Sequence, residues 1–207
     1  MRILCIGQQG QLARALSERA GHSNVTLTSV VRPQLAILNS NSILKQIDVI
    51  KPDILINASA YTAVDAAETD IDAARRLNEE AIDTLATISA RYSLPLVHYS
   101  TDYVFDGTKS EPYTETDLVN PRSVYGATKL AGEQVLAQNA REFLIFRTAW
   151  VYSPFGKNFV KTMLRLAETR EEVSVVCDQV GNPSNAFDLA EATLKICKGI
   201  FAGHFND

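Results

Sequence analysis

The chain has 207 residues, a net charge of −4, and 46% hydrophobic and 21% charged residues. That is the balance of an ordinary globule, with length for one full domain and part of a second. The acidic charge, without clustered Lys and Arg, excludes nucleic acid as a partner, because phosphate backbones demand concentrated cations. No apolar run has the length to span a bilayer, and the first six residues form one short strand pattern rather than a signal peptide, so no membrane partner is expected.

Residues 2–6 are apolar and run into Gly7-Gln-Gln-Gly10-Gln-Leu-Ala13, after which Leu12, Ala15, Leu16 and Arg19 recur at helical spacing. A strand, a glycine turn and a helix in direct succession suit a dinucleotide-phosphate loop. Gly7 makes the tight turn, Gly10 admits the pyrophosphate at the helix amino end, and Ala13 lets the helix pack close. The same spacing also serves plain strand-to-helix turns. Residues 25–30 read as the second strand. A chain that binds NAD carries an acid near the end of that strand, for the ribose 2′-hydroxyl. Here Ser29 and Arg32 stand instead, which favours NADPH, with Arg32 pairing the 2′-phosphate, and leaves NADH as the other option.

Asn39 or Asn41 caps a helix carrying Ile43, Leu44, Ile47 and Ile50, ended by Lys51-Pro52-Asp53. Residues 54–59 make a third strand, followed by the small-residue segment Ala60-Tyr61-Thr62-Ala63, which can lie flat against a cofactor. Asp70 or Asp72 starts a long helix with Leu77, Ala81, Leu85 and Ile88 that runs to about Tyr92.

Residues 96–99 form a buried fourth strand, so Ser100, Thr101 and Asp102 sit at its carboxyl end, where open α/β sheets put their ligands. Residues 105–121, with Gly107, Pro112 and many polar side chains, are a loop of a length often used for function. From Ser123 the pattern is helical to about Gln138. Tyr125 and Lys129 lie four apart on one face of that helix. A neighbouring ammonium favours phenolate and lowers a tyrosine pKa from its usual ~10, which makes the phenol a usable proton donor. The Thr101 hydroxyl is positioned to hydrogen-bond a carbonyl oxygen as it gains charge. The bland counterpart is an ordinary amphipathic pair on a helix.

Residues 143–146 are a fifth strand leading to Trp150. A helix over 159–168, a strand over 173–177, a turn over 179–184 and a helix over 186–197 follow, and 201–207 opens another strand. The alternation of strands and helices makes an α/β, doubly wound parallel sheet of the Rossmann-like NAD(P)-binding kind. Residues 1–150 are its dinucleotide-binding domain. Residues 151–207 begin a sugar-nucleotide-binding portion, with the chain returning to the sheet. Cys5, Cys177 and Cys197 are far apart in apolar settings, as buried free thiols of a reducing cytoplasm are. His22, His98 and His204 share no metal-ligand spacing, so no metal is expected.

The glycine loop, Thr101, Tyr125 and Lys129 together resemble the extended short-chain dehydrogenase/reductase family. The segments Asn57-Ala-Ser-Ala-Tyr-Thr-Ala-Val-Asp65, His98-Tyr-Ser-Thr-Asp-Tyr-Val-Phe105 and Val124-Tyr-Gly-Ala-Thr-Lys-Leu-Ala-Gly-Glu133 narrow the resemblance to the dTDP-4-dehydrorhamnose reductases. It implies NAD(P)H-dependent reduction of the 4-keto group of dTDP-4-dehydro-L-rhamnose, a small-molecule nucleotide sugar. Tyr125 would give the proton to the C4 oxygen, Lys129 would lower the phenol pKa and hold the nicotinamide ribose, and Thr101 would polarise the ketone. The resemblance also assigns the sugar to Asp102 and Trp150, and the cofactor to Gly10, Gln11, Leu12, Ala60, Tyr61, Thr62 and Tyr99. It admits a homodimer. Some members carry a glutamate at the position of Ala15 that joins an intersubunit magnesium site, which alanine cannot do. Members usually continue for roughly eighty more residues that complete the sugar-nucleotide domain, so a chain ending at Asp207 is expected to lack much of its substrate pocket. The same fold also serves a non-catalytic NADP(H)-binding regulatory subunit of methionine adenosyltransferase, as well as other nucleotide-sugar reductases and epimerases. In related dehydratases a Thr-Asp-Glu triplet follows strand four, and Tyr103 holds the third place here, which argues against elimination chemistry.

Overall fold

Five short strands make one sheet: β1 (Arg2–Ile6), β2 (Thr26–Val30), β3 (Ile54–Asn57), β4 (Leu96–Thr101) and β5 (Phe143–Thr148). All pair in parallel, in the order β2-β1-β3-β4-β5. The computed structural model describes residues 1–203. The strand expected over 201–207 falls partly outside them, as does His204, and Phe201 ends the last helix instead.

A parallel sheet is covered on both faces, so its central strands must be apolar on both sides; every residue of β3 and β4 is buried. Alternate side chains then go to opposite layers. Ile3, Cys5, Ile56, Val97 and Tyr99 pack with helices α1 (Gln11–Gly21) and α8 (Ala186–Phe201). Leu4, Ile6, Leu55 and Leu96 pack with α2 (Ser40–Ile50), α5 (Ala81–Tyr92) and α6 (Val124–Asn139). The helices between are α3 (Val64–Ala67) and α4 (Ile71–Arg75), and α7 (Phe159–Ala167) lies between β5 and α8.

Local chemistry accounts for the helix ends. Asn39 caps α2 through its side chain to the Ser42 N–H, and Ser123 caps α6 to the Gly126 N–H. The Val124 N–H, also at the start of α6, donates to the Glu68 carboxylate at 2.9 Å. The long helix expected from residue 70 or 72 to 92 is broken by a π-helical turn, Arg76–Glu80, which turns Asn78 fully inward.

Residues 173–177 form no strand; Val173, Val175 and Val176 are exposed, and so is Cys177, while Cys5 and Cys197 are buried as expected. A β-branched run becomes a strand only when another backbone pairs with it, and among the described residues none does. Helix α7 forms where its spacing predicts, but none of its residues is buried. No described helix is long and apolar enough to cross a membrane.

Candidate active site

The sheet order reverses at β1 and β3, so the crevice for a ligand opens at the carboxyl ends of those strands and of β4 beside them. Gly7 follows β1 with φ 127°, and a Cβ there would come within 2.8 Å of the Ala58 carbonyl oxygen; the turn passes too close to the end of β3 for any side chain. Gly10 is different. A Cβ on it would meet nothing nearer than that oxygen at 4.0 Å, so the protein's own packing leaves the space open. Gly10 is also the N-cap of α1 and makes no side-chain cap hydrogen bond, which leaves the first-turn N–H groups without a partner from the cap. Leu12 packs partly buried against the α1–α8 layer.

Gln11 does not present its side chain to this space. Its Nε2 donates to the Val151 carbonyl at 3.0 Å, and its Oε1 accepts from Ser153 Oγ at 2.9 Å and Asn158 Nδ2 at 2.8 Å. It joins the glycine turn to the segment after β5, and its backbone is the part left for a cofactor. At the end of β2, the Ser29 hydroxyl lies 3.0 Å from that of Ser17. Arg32 is exposed and forms no ion pair among the described residues.

The segment Ala60-Tyr61-Thr62 is held by Asn78. Its amide accepts from the Tyr61 N–H at 3.0 Å and donates to the Tyr61 carbonyl and to Thr128 Oγ1 on α6, each at 3.2 Å. Asn78 was missed from sequence, although an asparagine inside a helical run is a usable signal, since its side chain competes for backbone groups. Tyr99, expected at the cofactor, turns the other way. Alternation along β4 sends its ring into the α1–α8 layer, stacked on Phe146 at 5.7 Å and hydrogen-bonded through its hydroxyl to Thr193 at 2.8 Å. Its backbone carbonyl alone reaches the site layer.

Thr101 ends β4 nearly buried, and its hydroxyl donates to Asp102 Oδ1 at 3.1 Å while accepting from the Tyr103 N–H at 3.2 Å. The hydrogen expected to face a substrate oxygen is thus aimed at Asp102. Burial raises the Asp102 carboxyl above its ordinary range, and the Thr101 hydrogen bond opposes that. Tyr125 is half-buried, with the ring of Tyr103 edge-on at 5.7 Å. Its phenol is raised, not lowered as expected: desolvation dominates, Thr101 pulls the other way, and the acidic groups Asp102 and Tyr103 add to the rise.

Lys129 explains why. It is 1% exposed, and its Nζ donates to the Tyr99 carbonyl at 2.6 Å and lies 3.2 Å from His98 Nε2. The ammonium is committed to β4, and burial pulls its pKa down to about 8, with Glu133 opposing. Glu133, one turn on, binds the Arg147 guanidinium of β5 through both oxygens, at 3.0 and 2.6 Å. Arg147 also sits over the Phe105 ring at 5.0 Å, and Phe105 stacks on Tyr113. The 105–121 loop is tied around Asp106, which accepts from Thr108, Tyr113 and Asn120; these bonds hold its carboxyl well below the usual range.

Trp150 is half exposed with φ 46°, and a Cβ on Gly181 would come within 3.1 Å of its ring. Ala15 is fully buried, and no acidic, His or Cys group of metal-binding size occurs among the described residues. For a dinucleotide the residues fit: open space at Gly10, an uncapped helix start, and a buried Ser100 Oγ at the end of β4 without a partner.

Comparison with known proteins identifies the family. A family model described as the RmlD substrate binding domain matches residues 1–205. A dTDP-4-dehydrorhamnose reductase of Burkholderia thailandensis is 46% identical over 196 residues, 93% of this chain and 64% of that protein. The crystal structure of a dTDP-4-dehydrorhamnose reductase from Clostridium acetobutylicum superposes with a TM-score of 0.91 at 41% identity, over 96% of this chain and 70% of that one. The Bacillus anthracis reductase, solved in complex with NADP, gives 0.91 at 38% identity, over 94% and 69%. The chain therefore spans about two thirds of the length of the relatives it matches.

Proposed function

Because this chain belongs to the dTDP-4-dehydrorhamnose reductase family, we propose that it carries the dinucleotide half of an NADPH-dependent reductase acting on the 4-keto group of dTDP-4-dehydro-L-rhamnose. Residues 1–150 bind the cofactor, and 151–207 begin the sugar-nucleotide portion. The observation that supports the reading is that the Thr101 hydroxyl at the carboxyl end of β4 acts on the Tyr125 phenol, with Lys129 one helical turn further along α6, at the same end of the parallel sheet as the uncapped start of α1 that follows β1. The NADP named with the Bacillus anthracis structure supports the cofactor.

The first-turn N–H groups of α1 and the open space at Gly10 take the pyrophosphate. Arg32 pairs the 2′-phosphate. The nicotinamide supplies the hydride. A phenol held protonated is the form an acid needs, so Tyr125 gives its hydrogen to the carbonyl oxygen while Thr101 turns its hydroxyl from Asp102 to that oxygen. Lys129 holds the ribose by turning its Nζ from the Tyr99 carbonyl and, when charged, meets the charge left on the phenol. Asp102 and Trp150 contact the sugar.

The test is NADPH oxidation with dTDP-4-dehydrorhamnose. Tyr125→Phe should lower turnover by ~10²-fold or more, as loss of an acid does, while NADPH affinity holds. Unchanged turnover removes Tyr125 from the mechanism, and NADPH binding with no oxidation of that NADPH by any keto sugar favours the regulatory-subunit reading.

A further inference from the structure

His98 is fully buried and has no part in the reaction above, yet it touches Lys129. Its other neighbour is Asn57, directly beside it in the parallel pairing of β3 with β4. Asn57 Oδ1 accepts from the Ser59 N–H at 3.1 Å and from Ser59 Oγ at 2.8 Å. A backbone N–H only donates, so that oxygen is identified, and the amide nitrogen is the end that faces His98 Nδ1, at 3.2 Å. Nδ1 must then accept, and a neutral ring carries its hydrogen on Nε2, facing Lys129.

This leaves one donor too many whenever Lys129 is charged. An ammonium has no lone pair, so Nε2–H and Nζ–H meet head to head; moving the hydrogen to Nδ1 transfers the conflict to Asn57. With a neutral amine every bond runs in one direction, from Ser59 to Asn57 to His98 to Lys129 to the Tyr99 carbonyl. We propose that His98 is a positioning residue for Lys129: fixed by Asn57 as the Nε2–H tautomer, it donates to the lysine amine and favours its neutral form.

Lys129 is thereby a group that loses and regains a proton rather than a permanent cation. The charged and titratable groups about it are His98 on β4, Asp102 beyond the end of that strand, Tyr125 and Glu133 on its own helix, and Arg147 on β5, whose guanidinium occupies both Glu133 oxygens. Of these, Glu133 raises the lysine and opposes its burial. Burial keeps His98 neutral, its value well below the ordinary one, and the lysine adds to this whenever it is charged. The consequence for catalysis rests on the reductase reading: the fraction of enzyme with a charged Lys129 for the ribose and the phenolate varies with pH near neutrality.

Nitrogen NMR of the 207-residue chain tests this without activity. The His98 ring, assigned by its loss in His98→Gln, is expected to show the Nε2-protonated neutral pattern and not to titrate between about pH 6 and 9. A ring protonated at Nδ1 overturns the proposal, and this arm needs no variant to fold. In His98→Gln, where the amide offers an acceptor at the Nε2 position, the Lys129 Nζ titration should rise by about one pH unit or more. An unmoved titration overturns it too. The pH profile of turnover should shift the same way, whereas a purely structural His98 would lower turnover at every pH alike. An Nε2-protonated ring in a chain that binds no NADPH would sink the reductase reading and leave this inference standing.

Discussion

Lys129→Met removes the one fully buried ammonium of the site layer while keeping the length of the side chain, and the structure gives its cost a pH signature. The lysine titrates at about 8 in the fold and near the ordinary 10.5 when unfolded. Its folded value is depressed, so the unfolded chain binds more protons between those limits and stability rises with pH across them. The 2.5-unit gap corresponds to ~3.4 kcal/mol of penalty, fully present below pH 8 and relieved as pH approaches 10.5. Between pH 7.5 and 9.5 the relief is about 2 kcal/mol. At 1% exposure solvent does little to screen it. Urea unfolding of wild type and variant at matched pH values measures it, because the buried thiols and tyrosines titrate alike in both and cancel in the difference. Wild-type stability relative to Lys129→Met should climb by that amount. A difference flat to within about 0.5 kcal/mol would show that the ammonium is not desolvated as its surroundings require.

Glu133→Gln breaks the two-point contact with Arg147 and leaves a guanidinium that is only a quarter exposed. A loss of about 2–3 kcal/mol is expected, less than for a fully buried pair because water reaches Arg147. This should appear as a fall in Tm of roughly 5–10 °C, and a fall under about 2 °C would mean the pair contributes little. Arg32→Ala should weaken NADPH much more than NADH in calorimetry; equal weakening would clear Arg32 of reading the 2′-phosphate. A thiol reagent should modify Cys177 quickly in the native chain, while Cys5 and Cys197, buried and pushed up to about 12, react only on unfolding. Rapid reaction of more than one thiol would contradict their burial.

Composition, apolar period and turn chemistry act over a few residues, and what they control was legible along the chain. The five strands, the tight glycine turn at Gly7, a helix capped by Asn39 or Asn41, a helix beginning at Ser123 and the helical spacing of Tyr125 and Lys129 all belong to this class. Contacts made by distant residues were not. That Tyr99 would leave the site for the core, that Gln11 would join residues 151–158, and that residues 173–177 would stay unpaired all depend on which surfaces the fold brings together. The sharpest case is Lys129. Its place on the helix followed from local pattern, but its partners are His98 and the Tyr99 carbonyl, joined through β4 to Asn57 on β3. Spacing on a helix says which residues share a face. Only packing decides how deeply that face is buried and which donors and acceptors remain to meet an ammonium once water has gone.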